Sequence, residues 1–208
     1  MSADLLICTA TELEGALLRQ HTDRSRVEIV QMGVGPVNAA HAVTLALTRF
    51  RPLAIVVCGI GGAYPGSGLA IGDVACAESE CYGDLGATSP GGFLDLQAMG
   101  FPLVEGSPPI YNVLPMQVFP SSPRVRFVTM STCTGIAVAA RAIEARTGGA
   151  VENMEGAAVA HVAAIYGVPV GELRGISNMV TNRDTRAWRI KDAAMAAQEA
   201  LLSWIAQR

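Results

Sequence analysis

The stretch of residues 151–161 carries an amide, a thioether and a carboxylate where a helix is predicted to begin. Asn153 is a residue type that favours the position before a helix, and Glu155 falls in the first turn, where the helix dipole favours an anion. The small residues that follow predict a helix lying very close to a sheet. The acids either complement the dipole, with Met154 in the core, or bind a polar ligand.

A second acidic pair, Glu12 and Glu14, follows a predicted first strand at residues 4–8. Thr11 and Glu14 have the spacing of a capping box, in which the glutamate accepts a hydrogen bond from the Thr11 backbone amide. A carboxylate at a strand end can also deprotonate a water molecule. The two roles are compatible, because a capped helix start also fixes a catalytic side chain.

Two further stretches follow strands that are predicted to be buried. Residues 59–63, Gly-Ile-Gly-Gly-Ala, match neither phosphate-binding glycine motif. They predict a loop, either a tight turn or a bare backbone lying against a flat ring. The stretch from Arg174 to Asn178 ends the last predicted strand. Asn178 is either a turn residue or a ligand contact that offers one carbonyl and one amide.

The alternation of predicted strands and helices indicates an α/β domain with helices on both faces of a sheet. A chain of 208 residues is expected to form one domain, residues 1–208. Ligands of such sheets bind beyond the carboxyl ends of the strands, here residues 9–14, 59–63, 131–135 and 177–184. Residues 81–123 are rich in Gly and Pro, so the sequence does not define regular structure there, and a loop of that length is usually functional or poorly ordered.

Composition narrows the class of protein. Charged residues make up 16% of the chain, below the roughly 25% typical of soluble domains, which favours a large core and an apolar surface for a partner subunit. The formal net charge of −3, without a basic block, predicts no binding of nucleic acid. Five cysteines without metal-ligand spacing predict reduced thiols. With no signal peptide evident and no predicted membrane span, we expect a cytoplasmic protein.

Six short motifs, in order, resemble the purine nucleoside phosphorylase and nucleosidase superfamily. They are the acidic turn at 11–14, Gly-Val-Gly at 33–35, Cys-Gly-Ile-Gly-Gly at 58–62, Ile-Gly-Asp at 71–73, Asn-Met-Glu at 153–155 and Arg-Gly-Ile-Ser-Asn at 174–178. The string at 152–156 and the loop at 177–184, followed by Trp188, resemble the futalosine hydrolase branch. The resemblance implies a three-layer αβα sandwich with a central mixed, mostly parallel sheet.

The resemblance also implies roles for individual residues. Glu155 would accept hydrogen bonds from both ribose hydroxyls, which the two oxygens of a carboxylate can do for a cis-diol. Glu14 would hold and activate the attacking water, and residues 131–135 would cover one face of the base. Further implied substrate contacts are Met154, Asn153, Ile60, Gly61, Gly62, Arg174 and Ser177. The resemblance implies a small-molecule nucleoside substrate, no cofactor or metal, and a homodimer or higher homo-oligomer.

Asn178 bears on the identity of the base. Adenine-releasing nucleosidases of this superfamily carry an aspartate at the matching position. A 6-oxopurine presents acceptors at N7 and O6, to which the amide NH2 of Asn178 can donate. The resemblance therefore implies release of hypoxanthine from futalosine, a step of menaquinone biosynthesis. Release of adenine from methylthioadenosine or S-adenosylhomocysteine is the nearest alternative.

The acidic turn bears on the nucleophile. Superfamily phosphorylases place glycine and arginine there, whereas Glu12 and Glu14 would repel phosphate in a partly desolvated cleft. Water is therefore the predicted nucleophile. A 6-oxopurine nucleoside phosphorylase and a non-catalytic purine-nucleoside binding protein are the alternatives. Arg183, Arg186 and Arg189 are the candidate partners of the benzoate at the 5′ side of futalosine.

Overall fold

The computed structural model describes residues 4–23, 25–117 and 123–207. The strands are β1 (Leu5–Thr9), β2 (Val27–Gln31), β3 (Ala54–Ala63), β4 (Val74–Tyr82), β5 (Gly86–Ser89), β6 (Gly92–Asp95), β7 (Leu114–Pro115), β8 (Arg124–Thr129), β9 (Val151–Asn153) and β10 (Val170–Met179). The helices are α1 (Glu12–His21), α2 (Pro36–Phe50), α3 (Leu96–Met99), α4 (Ala137–Thr147), α5 (Gly156–Tyr166) and α6 (Ile190–Ile205).

The central sheet is mixed and mostly parallel, as the family resemblance implied. Strands β2, β1, β3 and β10 pair in parallel, and β4, β8 and β9 form a second parallel set. Antiparallel pairing of β10 with β4 and of β9 with β3 joins the two sets. Strands β3, β10, β4, β8 and β9 therefore form a closed ring, from which β1 and β2 extend at β3 and the short β7 extends at β4. The α/β class is confirmed.

Helices cover both faces of this sheet because its strands are apolar on both sides. All five residues of β1 are buried, which is typical of a strand in a parallel sheet. Helices α1 and α6 bury Leu18, Ala197 and Leu201 in one core cluster. Helices α2 and α5 pack in the other large cluster, where the small side chains of α5 allow a close approach.

Three boundaries differ from the sequence prediction, and the first is β1, which is Leu5–Thr9 and not residues 4–8. Residues 59–63 are the second half of β3, not a loop, because β10 pairs with this stretch along one edge and β9 pairs with its end along the other. The sequence gives no sign of these distant partners. Helix α5 begins at Gly156, so Glu155 lies immediately before the helix and not in its first turn as predicted.

The Gly- and Pro-rich segment, residues 81–123, contains regular structure. The hairpin of β5 and β6, the short helix α3 and the two-residue strand β7 lie within residues 81–117, and β7 pairs with β4. Residues 118–122 of the segment lie outside the described residues. Across the described ranges, no helix has both the length and the apolar character that a membrane span requires.

Candidate active site

A cleft of about 180 Å³ lies at the carboxyl ends of β1, β3 and β10. The ten residues predicted to act in catalysis or to contact the substrate all line it: Glu14, Ile60, Gly61, Gly62, Asn153, Met154, Glu155, Arg174, Ser177 and Asn178. Glu12 of the acidic turn does not line it, because its side chain is exposed and pairs with Arg19, so the predicted repulsion of phosphate by Glu12 is wrong. The remaining lining residues are Ala10, Thr11, Val34, Cys133, Glu152, Val180 and Trp188. The strands that carry most of these side chains run in parallel, so their ends meet at one edge of the sheet.

Glu14 is buried at the start of α1, and both of its oxygens are held by donors. The backbone N–H and the hydroxyl of Thr11 donate to Oε2 at 2.9 and 2.8 Å, so the predicted capping box is present. The backbone N–H of Ile60 donates to Oε1 at 2.9 Å. A carboxylate has about four acceptor positions, so these three bonds leave room for one further donor.

Glu155 is also buried and held at both oxygens. The backbone N–H of Gly35 donates to Oε1 at 3.1 Å, and Nη2 of Arg174 lies 3.3 Å from Oε2. Gly35 has a φ of 95°, a conformation that favours glycine and turns its N–H towards the carboxylate. Each oxygen of Glu155 keeps an acceptor position, which suits a ligand with two adjacent hydroxyls.

Arg174 is the central cation of the cleft, and it is 1% exposed. Its Nε donates to Oε1 of Glu172 at 2.7 Å, and its other nitrogens reach Glu155, Asn153 and the carbonyl oxygen of Ile60. Burial opposes its charge, but the carboxylates of Glu172, Glu155 and Glu14 outweigh burial and raise the pKa of the guanidinium. Its positive charge is therefore already matched by carboxylates of this chain.

Two polar residues of β9 fix the loops around the cleft. Oδ1 of Asn153 accepts the backbone N–H groups of Glu155 and Gly156 at 2.9 and 2.7 Å, which caps α5. Glu152 accepts the hydroxyl of Tyr64 at 2.8 Å and the backbone N–H of Thr134 at 2.7 Å. Burial and the nearby Glu152 raise the pKa of Tyr64. Glu152 thus ties the 131–135 loop, which brings Cys133 to the cleft, to the sheet.

Asn178 presents its amide nitrogen in a defined direction. The hydroxyl of Ser177 donates to Oδ1 at 2.7 Å, and Nδ2 donates to the carbonyl oxygen of Met179 at 3.2 Å. The reversed amide would set Oδ1 against that carbonyl, so the two contacts select one orientation. The pairing of β10 with β3 shifts register between Ile176 and Asn178, and such bulges re-aim side chains beside sites.

The glycines of β3 make room for neighbouring side chains. A Cβ at Gly62 would lie 2.7 Å from a methyl group of Val180 and 3.0 Å from Nδ2 of Asn178. A Cβ at Gly59 would lie 2.7 Å from Nη1 of Arg174 and would also meet Glu14. Glycine is required here because the strand backbone passes directly against groups of the site.

The three candidate arginines at the rim have different partners. Arg186 forms two bonds to Asp184, at 2.8 and 2.9 Å, and Arg189 pairs with Asp192. The guanidinium of Arg183 lies 4.7 Å from the ring centroid of Trp188 and contacts Sγ of Cys133 at 3.4 Å. Trp188 and Cys133 both line the cleft. Arg183 pairs with no carboxylate in the part of the chain that the structure describes.

Several parts of this site were not selected from the sequence. Val34, Glu152, Val180 and the N–H of Gly35 enter it through contacts between distant segments. Gly-Val-Gly at 33–35 was used only as a family motif. A glycine-rich turn after a strand could have indicated that its backbone contacts the site. Of the five free cysteines, four are buried and Cys133 is partly exposed.

The model of the phosphorylase superfamily matches residues 12–206. The chain belongs to this superfamily. It is 38% identical over 180 residues to the futalosine hydrolase of Streptomyces coelicolor, covering 84% of this chain and 76% of that relative. It is 32% identical over 187 residues to the futalosine hydrolase of Thermus thermophilus, covering 86% and 80%. These matches show that it is a member of the futalosine hydrolase family.

Matches to the adenosine-related nucleosidases are of a different kind. The 5′-methylthioadenosine/S-adenosylhomocysteine nucleosidase of Listeria innocua is 43% identical over 65 residues, which is 31% of this chain and 28% of that relative. The solved structure of the nucleosidase of Colwellia psychrerythraea, in complex with adenine, superposes on this chain with a TM-score of 0.81 at 20% identity. The match covers 100% of this chain and 96% of that nucleosidase. The structural likeness shows a shared fold.

Proposed function

We propose that the protein is a nucleosidase that hydrolyses the N-glycosidic bond of futalosine and releases hypoxanthine. The observation that carries this proposal is the single cleft that joins Glu14 and Glu155 to the amide donor of Asn178. Similarity to futalosine hydrolases over most of the chain supports the substrate. A place in menaquinone biosynthesis, a cytoplasmic location and homo-oligomeric assembly belong to the same proposal.

In the proposed complex, Glu155 accepts hydrogen bonds from the two ribose hydroxyls, and Met154 packs against the sugar. Glu14 holds the attacking water with its remaining acceptor position. The bond between the sugar C1′ and the purine nitrogen breaks through an oxocarbenium-like sugar, and the base leaves with the bonding electron pair. The water oxygen bonds to C1′ and its proton passes to Glu14, while the departing base takes up a proton from solvent to become hypoxanthine.

Asn178 stabilises the departing base. Its Nδ2 has one hydrogen directed at Met179 and a second hydrogen for a ligand. Hypoxanthine offers acceptors at N7 and O6, and negative charge develops on the ring as the bond breaks. A neutral donor at this position therefore favours a 6-oxopurine.

The charges of the cleft favour water over phosphate as the nucleophile. Arg174 is already paired with Glu172 and Glu155, and Glu14 lies beside it. A phosphate dianion beside Glu14 and Glu155 would approach two carboxylates, and the neighbouring Arg174 is already paired, which makes its binding costly where water is excluded.

Arg183 is the proposed partner for the carboxylate at the 5′ side of futalosine. It lies against Trp188 and Cys133 of the cleft, whereas Arg186 and Arg189 are paired with aspartates. An arginine can bind a carboxylate through two parallel hydrogen bonds.

The test is chromatographic detection of the free base after incubation with futalosine, inosine or methylthioadenosine. We expect hypoxanthine from futalosine, much less from inosine, which lacks the 5′ carboxylate, and no adenine from methylthioadenosine. Adenine release would mean that the role assigned to Asn178 is wrong. Futalosine recovered intact from a tight complex would favour a binding protein instead.

A further inference from the structure

Behind the cleft, two glutamates on neighbouring strands face each other. Glu80 of β4 and Glu172 of β10 are both fully buried. The backbone N–H of Cys81 and the hydroxyl of Thr129 lie 3.1 and 3.2 Å from Oε2 of Glu80, and Nδ2 of Asn153 donates to its Oε1. The hydroxyl of Thr129 also lies 3.1 Å from Oδ1 of Asn153, so Glu80 has two donors of its own and shares the third, and among the described residues no cation contacts it.

Glu172 has one satisfied oxygen and one unsatisfied oxygen. Its Oε1 accepts from Arg174, but no N–H or O–H donor within the described ranges reaches its Oε2. The group that faces Oε2 is the carboxyl of Glu80, since a Cβ placed on Gly156 would collide with both Oε2 of Glu172 and Oε1 of Glu80. A buried acceptor without a donor is unfavourable, so the arrangement calls for a proton between the two carboxyls.

We propose that Glu80 and Glu172 share one proton, and that this acid–carboxylate pair positions Arg174 and Asn153 for the reaction. The proton resides on Glu80 and is donated to Oε2 of Glu172. Glu172 then keeps the negative charge that pairs with Arg174. The pair carries one negative charge in place of two.

The surroundings favour this distribution of charge. Burial, followed by the charge of Glu172, raises the pKa of Glu80 well above its ordinary value. Burial also raises the pKa of Glu172, but the adjacent Arg174 opposes that shift. The other titratable groups around the pair are Glu155, beyond Arg174, and Cys58, Cys81 and Tyr82, whose pKa values are raised chiefly by burial. Neutral thiols and a neutral phenol supply no counter-charge for a second carboxylate.

The pair acts on the reaction through two positioning contacts. Arg174 bridges Glu172 to Glu155, and Asn153 bridges Glu80 to the backbone N–H groups that begin α5. Both bridges end at Glu155. The role in catalysis rests on the proposed hydrolysis, whereas the shared proton is a property of the free protein.

The first test is infrared spectroscopy of the ligand-free protein at neutral pH, which needs no substrate. We expect the carbonyl stretch of a protonated carboxylic acid in the wild type and its loss in Glu80→Gln. The exposed Glu199→Gln is the matched control and should keep the band. A wild type without this band, or a Glu80→Gln protein that keeps it, would overturn the proposal. The wild-type measurement decides the question even where the variant does not fold.

The second test is the pH dependence of stability. A glutamate whose pKa is raised by folding stabilises the protein fully below its unfolded pKa and loses that contribution as pH rises through the folded pKa. The wild-type folding constant should therefore fall by up to about tenfold per pH unit above roughly pH 5. Glu80→Gln should lack this slope, and Glu199→Gln should keep it. Equal slopes in all three proteins would refute the shared proton.

The third test separates positioning from stability. Glu80→Gln keeps a neutral donor for Oε2 of Glu172, but the amide nitrogen cannot also accept from Asn153, so we expect kcat on futalosine to fall about fivefold. Glu172→Gln removes the partner of Arg174, and kcat should fall about 100-fold in the folded variant, as expected for misplaced groups at a reacting centre. Equal losses in the two variants would refute the positioning role. Loss of the reaction in the wild type would instead refute the proposed function.

Discussion

Replacement of Asn178 by aspartate tests how the site selects its base. In the protein, Ser177 donates to Oδ1, and Nδ2 donates to the carbonyl oxygen of Met179. In Asn178→Asp, a second carboxylate oxygen replaces Nδ2 and faces both the Met179 carbonyl and the acceptors of a 6-oxopurine. An ionised aspartate can donate to neither of them.

The expected magnitude follows from the lost donor. A hydrogen bond to a group that carries charge in the transition state contributes about 1.5–3 kcal/mol, which corresponds to a roughly 10- to 150-fold decrease in kcat/KM. Asn178 is only 8% exposed, so burial and the Met179 carbonyl should raise the pKa of the introduced carboxyl. Below that pKa the carboxyl is protonated and is again a donor. Activity on futalosine should therefore recover as pH falls.

The assay measures kcat/KM for futalosine and methylthioadenosine between about pH 5 and 8.5, in the range where histidine and raised carboxyls titrate. We expect Asn178→Asp to lose activity on futalosine at high pH and to gain relative preference for the 6-aminopurine. Asn182→Asp, at an exposed position whose Oδ1 accepts from Ala137, is the control. Unchanged relative kcat/KM for the two bases would refute the reasoning.

Three further predictions follow from the contacts of the cleft. Glu14→Gln should lower kcat about 100-fold or more with little change in KM, because an amide cannot take a proton from water; near-wild-type kcat in steady-state assays would contradict this. Arg183→Gln should raise KM for futalosine about tenfold but not KM for inosine, with the aspartate-paired Arg186→Gln as control; equal effects of both variants would argue against a carboxylate contact. Gly156→Ala should lower the free energy of unfolding by about 1–3 kcal/mol in urea titrations, since its Cβ meets two buried carboxyls. Gly91→Ala, in an open position, should change it little.

Convergence of the predicted site residues could be foreseen from local sequence. The site residues near the carboxyl ends of β1, β3 and β10 were assigned to strand ends, and parallel strands bring such ends to one edge. The capping box of Thr11 and Glu14 was readable because its residue types and spacing are local. Neither inference needed knowledge of the distant partners of these segments.

The parts that could not be predicted depend on distant pairing. Turn chemistry favoured a loop at residues 59–63, but pairing with β10 and β9 holds this glycine stretch as a strand. The contact of Glu80 with Glu172 joins two strands far apart in sequence. Glu172 offered one local signal, since it is a charged residue within the otherwise apolar stretch Val170–Leu173. That signal indicates a buried charge without naming its partner.

The central claim is that carboxylates of this cleft direct water, and not phosphate, to the sugar of futalosine. The most direct measurement is the rate of hypoxanthine release from futalosine, with analysis of the sugar product, in buffers with and without phosphate. We predict the same rate in both buffers and a free sugar as the product. A rate that rises with phosphate, together with a sugar 1-phosphate, would contradict the account.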